Sequence, residues 1–94
     1  MKEMSVIEAA QIMKGTIQGR TDGIITGICV DSREARGGSL FVALKGETTD
    51  GHRYVPMAYE NGAVAAVTSS AGTVADNCPI CRIVVEDMIW FREE

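Results

Sequence analysis

The chain has 94 residues, a formal net charge of -4, 46% apolar residues and two prolines. It is long enough for one hydrophobic core and too apolar for a disordered segment. The acid excess and the lack of a basic stripe set aside a nucleic-acid partner, although backbone N–H groups and a local cation can still bind phosphate on an acidic protein.

The longest unbroken apolar runs, Ala63 to Val67 among them, are far too short to span a bilayer. The opening MKEMSVIEAAQIMKG has no apolar core and carries two Glu, so it does not read as a signal peptide. A cytoplasmic chain is expected, with its three cysteines reduced.

Ser5 followed by Glu8 is a capping box, which predicts a helix beginning at Val6. Val6, Ile7, Ala9, Ala10, Ile12 and Met13 supply its apolar face, and Gly15 is expected to end it. Thr16 to Gln18 reads as a short strand. Ile24 to Val30 reads as a second strand with Ile24, Thr26, Ile28 and Val30 on one face. Gly37-Gly38 marks a turn, and Leu40 to Leu44 is a continuous apolar run, as expected of a strand covered on both faces.

Residues 54 to 61 predict a helix with Val55, Ala58 and Tyr59 on its apolar side and Asn61-Gly62 as its stop. Pro56 belongs in the first turn, so the helix should start near Arg53. Ala63 to Thr68 is a further buried strand, completing a βαβ unit. Ile83 to Val85 is the last strand, and 87 to 91 the start of a helix. The fold class is therefore α/β: one domain, a small mixed sheet with a βαβ unit and flanking helices.

Loops that follow parallel strands are where α/β sheets place ligand groups. Asp31-Ser32-Arg33 offers an acceptor, a hydroxyl and a guanidinium fork suited to phosphate. Lys45-Gly46-Glu47-Thr48-Thr49-Asp50-Gly51-His52 offers a cation, hydroxyls and two glycines that let backbone approach a ligand. It also leads into a helix start, where free N–H groups favour an anion. Both segments equally fit plain roles: an Asx or ST turn closing a strand, and an ordinary loop capping a helix. His52 fits a hydrogen-bonding residue better than a catalyst.

No GxxxxGK[ST] occurs, and Lys45 precedes its glycine, so it is not a Walker lysine. Cys78-Pro79-Ile80-Cys81 is a CxxC that opens a β-branched strand instead of a helix, which removes the dipole a redox pair uses. A zinc site would need Cys29 and His52 to complete it at irregular spacing. A thiol or metal module using Cys78 and Cys81 is thus one rival reading. A non-catalytic interaction domain is another.

ITGICVDSR, then GGSLFVALKGETTDGHRYV, then A-x-x-NGAVAAV, in this order, resembles the N-terminal domain of the Mur ligases, from about Ser5 to Val85. The EAAQIMKG helix running into TIQG is most like the MurF type, which adds D-Ala-D-Ala to a tripeptide; the ETTDGH loop also suits the MurE type, which adds the third amino acid. The resemblance implies a domain that holds the UDP part of a UDP-N-acetylmuramoyl-peptide. It assigns that role to Ser32, Arg33, Lys45, Gly46, Glu47, Thr48, Thr49, Gly51 and His52.

The resemblance also implies that the chain is not catalytic by itself: no cofactor is held here, and the ATP and Mg²⁺ of an intact ligase belong to central and C-terminal domains absent from these 94 residues. The usual Pro-Gly-Asp before the LFVA strand is Gly37-Gly38-Ser39. Met88 to Phe91 is an apolar stretch expected to support self-association in the absence of a neighbouring domain.

Overall fold

The computed structural model describes residues 3–19, 22–43, 51–69 and 79–85. Lys45 to Asp50, Cys78, the helix expected from Asp87 and the apolar stretch Met88–Phe91 lie outside the described residues.

In chain order the elements are β1 (Met4–Ser5), α1 (Val6–Met13), β2 (Thr16–Gln18), β3 (Ile24–Ile25), β4 (Gly27–Cys29) and a 3₁₀ turn (Ser32–Glu34). There follow β5 (Ser39–Val42), a second 3₁₀ turn (Gly51–Tyr54), α2 (Val55–Glu60), β6 (Ala65–Ser69) and β7 (Cys81–Val85). Five strands form one mixed sheet in the order β2-β7-β6-β5-β4. β4, β5, β6 and β7 are parallel neighbours, and β2 joins β7 antiparallel, Thr16 opposite Val84. β1 and β3 form a separate antiparallel pair.

Register sorts the core into two layers. Leu40, Val42, Ala65, Val67, Cys81, Ile83 and Val85 meet Val6, Ala9 and Ala10 of α1. Phe41, Ala43, Ala66 and Cys29 meet Val55 and Ala58 of α2. Because strand side chains alternate, β5 is covered on both faces: the apolar Leu40, Phe41 and Val42 are buried, and so is Ser39 at its start. The βαβ unit is β5, α2 and β6, with Leu40 opposite Ala65.

The α1 capping box forms as expected: the Glu8 N–H donates to Ser5 Oγ at 3.0 Å and the Ser5 N–H to Glu8 Oε1 at 3.3 Å. Its C-terminus departs from expectation. The left-handed residue is Lys14 (φ 57°), and Gly15 serves a different need, since a Cβ there would lie 2.7 Å from Ile83 Cγ2. Ile7 and Ile12 face outward, so the buried stripe is narrower than predicted. Tyr59 of α2 is likewise exposed.

The predicted strand Ile24–Val30 is two strands broken at Thr26, whose N–H donates to Gly38 O at 2.9 Å. The side chains expected to share a face, Ile24, Ile28 and Val30, are 49%, 57% and 59% exposed, while Ile25 and Cys29 are buried. The alternation expected from sequence is present, and the shared face of Ile24, Thr26, Ile28 and Val30 is the solvent side. α2 begins at Val55 after the 3₁₀ turn, with Pro56 in its first turn, close to the predicted start. In the Gly37-Gly38-Ser39 turn, Ser39 Oγ accepts the Arg36 N–H at 3.0 Å, closing the bend before β5.

Candidate functional site

The segments after β4 and β5 leave the same edge of the sheet, because their strands are parallel neighbours. After β4 the chain turns at once into the 3₁₀ turn. Asp31 caps it, its Oδ1 accepting the Arg33 N–H at 2.9 Å. The same carboxylate takes Arg33 Nε at 3.1 Å and Nη2 at 2.8 Å, a bidentate pair. This holds the Asp31 carboxyl down at about 2, first through the Arg33 side-chain hydrogen bonds and then through the Arg33 backbone N–H. The Arg33 guanidinium is raised in turn, chiefly by its bonds to Asp31. Its side chain is 82% exposed. Arg33 therefore faces solvent with part of its charge already matched, and offers a phosphate only the N–H groups that Asp31 leaves.

Ser32 is placed differently from its neighbours. It is 5% exposed and packs on α2, its Oγ donating to Met57 Sδ at 3.3 Å. A thioether is a weak acceptor, so the hydroxyl is held there loosely. The Ser32 carbonyl accepts Asn61 Nδ2 at 3.0 Å and the Ala35 N–H at 3.3 Å.

From the second segment, Gly51 and His52 are described and Lys45, Gly46, Glu47, Thr48 and Thr49 are not. His52 lies in the 3₁₀ turn ahead of α2 and is 1% exposed. Its Nε2 accepts the Ser69 N–H at 2.9 Å, with Ser69 Oγ at 3.4 Å. An accepting Nε2 places the ring proton on Nδ1. The imidazole thus pins the start of α2 to the end of β6. α2 has only six residues and no side-chain cap, so it supplies less of an anion field than its sequence led one to expect.

Sequence reasoning missed Met57, Asn61 and Ser69. Asn61 was legible only as a helix stop, because nothing local announces a partner 29 residues away. It also missed Thr68, whose Oγ1 is buried at the end of β6 with no hydrogen-bond partner among the described residues. A cavity of about 350 Å³ along the outer edge of β4 is lined by Thr26, Ile28, Cys29, Glu34, Arg36 and Ser39, among others, and by none of the predicted site residues.

The two cysteines among the described residues fall on opposite faces of the sheet, Cys29 in the α2 layer and Cys81 in the α1 layer. They cannot share a metal. Burial raises both thiols. Among the described residues no group of three His, Cys, Asp or Glu is placed to hold a metal, and no helix is long and apolar enough to cross a membrane.

The family profile described as "Mur ligase family, catalytic domain" matches residues 24–91. The chain is 38% identical over 84 residues to the UDP-N-acetylmuramoyl-L-alanyl-D-glutamate--2,6-diaminopimelate ligase of Caldanaerobacter subterraneus subsp. tengcongensis, covering 89% of this chain and 17% of that one. It is 32% identical over 102 residues to the UDP-N-acetylmuramoyl-tripeptide--D-alanyl-D-alanine ligase of Haemophilus influenzae, covering 100% of this chain and 22% of that one. The crystal structure of MurF from Acinetobacter baumannii superposes with a TM-score of 0.78 at 28% identity, over 93% of this chain and 19% of that one. The chain therefore spans about a fifth of the length of these relatives. Its sequence and its mixed sheet together establish that the chain belongs to the Mur ligase family, as an N-terminal domain of the kind found in MurE and MurF ligases.

Proposed function

We propose that this domain binds the UDP portion of a UDP-N-acetylmuramoyl-peptide, with catalysis carried by other parts of a ligase. One observation carries the reading. The chain matches, over nearly all its length, two ligases whose names share the UDP-N-acetylmuramoyl group and differ in peptide and in the unit added. A segment common to both suits the moiety common to both substrates. The support from geometry is that the 3₁₀ turn at 32–34 and the segment ending at His52 leave the edge of the parallel strands where α/β proteins take ligands.

In this reading recognition is the whole task of the site. Ser32 gives up the Met57 sulfur for a ligand acceptor, and Arg33 offers its remaining N–H groups to the diphosphate. Lys45, Gly46, Glu47, Thr48 and Thr49 supply backbone and side-chain contacts, with Gly51 ending that loop. His52, buried and engaged, supports the loop instead of touching the ligand. ATP and Mg²⁺ have their place elsewhere in an intact ligase, which works in the cytoplasm on its soluble precursor.

Titration with UDP, followed by amide shifts, tests the reading. Shifts should cluster at 31–34 and 44–52, and Ser32→Ala should weaken binding by about 0.5–1.5 kcal/mol, the net value of one hydrogen bond. Shifts confined elsewhere, or none at high ligand concentration, would remove UDP from this domain.

A further inference from the structure

The Asn61-Gly62 pair ends α2 by backbone bonds alone: the Asn61 N–H reaches Met57 O at 3.0 Å and the Gly62 N–H reaches Tyr59 O at 3.0 Å. Stopping a helix asks nothing more of residue 61. Its side-chain amide nevertheless crosses to the Ser32 carbonyl at 3.0 Å, and since a carbonyl only accepts, the nitrogen of the amide must face it. That carbonyl's other donor, the Ala35 N–H, is at the longer distance of 3.3 Å.

Gly62 lets the same segment pack closely against the end of α2. It has φ +110°, and a Cβ there would lie 2.8 Å from Gly37 N and 3.0 Å from Arg36 C. Met57, one turn earlier on α2, holds the Ser32 hydroxyl. Two side chains of one helical end thus hold the 32–37 segment at its carbonyl and its hydroxyl, and Gly62 leaves room for its backbone. Only the hydroxyl hold is weak enough to yield easily to a ligand.

We propose that Asn61 is a positioning residue of the nucleotide site: it fixes the Ser32 turn on α2 so that the Ser32 hydroxyl can exchange the Met57 sulfur for a ligand acceptor without rearrangement of the backbone. This rests on the nucleotide reading of the turn. Its physical content is preorganisation, in which the ordering of the turn is completed on folding and not charged to binding.

A double-mutant cycle on UDP affinity decides it, using the 94-residue chain, Asn61→Ala, Ser32→Ala and the pair. Asn61→Ala should weaken UDP about fivefold in the unaltered background and less than about twofold where Ser32 is already Ala, because its action runs through that hydroxyl. Should Asn61→Ala fail to fold, Asn61→Ser, whose donor is too short to reach the carbonyl, takes its place. An equal loss in both backgrounds would make Asn61 a merely structural residue, and no loss in either would make its amide irrelevant; both overturn the proposal while the UDP reading stands. An unaltered chain that does not bind UDP would overturn both.

Discussion

The Ser69 N–H donates to Nε2 of buried His52 at 2.9 Å, tying the 3₁₀ turn ahead of α2 to the last residue of β6. Between Val42 and Gly51 the chain must leave β5 and return to start α2, and this bond fixes one end of that path. His52→Ala removes the acceptor and vacates the volume of a fully buried ring. The expected cost is about 2–4 kcal/mol, from an unsatisfied N–H plus a cavity. Urea unfolding of the variant checks the size. Nitrogen shifts of the imidazole should independently report the Nδ1–H form, and an Nε2–H form would contradict the bond.

Asp31 and Arg33 make a prediction whose sign depends on pH. The folded carboxyl sits at about 2 against an ordinary 3.8, so folding favours its ionised form. The stabilisation it contributes is fully present above 3.8, declines between the two values, and is lost once pH has fallen through about 2. Because the pair is solvent-exposed, added salt should bring the titration back toward the ordinary value. Arg33→Ala should do the same more strongly, leaving the Arg33-position backbone N–H as the main remaining partner. A carbon-13 titration of Asp31 reads both; a midpoint indifferent to Arg33 would show that the fork does not form in solution.

These contacts mark where sequence is silent. The capping box Ser5–Glu8, the buried strand around Phe41 and the Pro56 position are local or periodic, and local physics writes them into neighbouring residues. The split of 24–30 into two strands is not local, because it depends on Thr26 meeting Gly38 across the chain. At the site, Asp31 to Arg33 could be selected from residue type and position at a strand end. The Asn61–Ser32 bond could not, since its partners are joined only once α2 packs beside the 3₁₀ turn.

The CxxC opens a strand and so lacks the helix dipole of a redox pair, and Cys81, its half among the described residues, is buried. Cys81 is a β7 residue facing the α1 layer, and burial raises its thiol, as it does that of Cys29. A raised thiol carries less thiolate at neutral pH, and thiolate is the reactive species. Both should resist iodoacetamide in the folded chain and react readily once urea unfolds it, as peptide mass mapping will show. Rapid native labelling of Cys81 would restore the redox reading to consideration.

The alternating burial of residues 24–30 supplies the sharpest stability test. Ile24 and Ile25 are adjacent, identical and both β-branched, so composition and propensity cannot separate them. Burial separates them completely: Ile25 is 0% exposed within the α1 layer, and Ile24 stands half in solvent. Ile25→Ala should therefore destabilise the domain by about 2–5 kcal/mol, combining lost transfer energy with a residual cavity. Ile28→Ala, on the exposed side of β4, should stay within about 1 kcal/mol, mostly from reduced strand propensity. Ile24→Ala should resemble Ile28→Ala. Urea midpoints for the three variants, with unchanged slopes, would confirm the order. If Ile28→Ala proved as costly as Ile25→Ala, the outer face of β4 would have to be covered in solution, and the edge of the sheet would need another strand or a partner upon it.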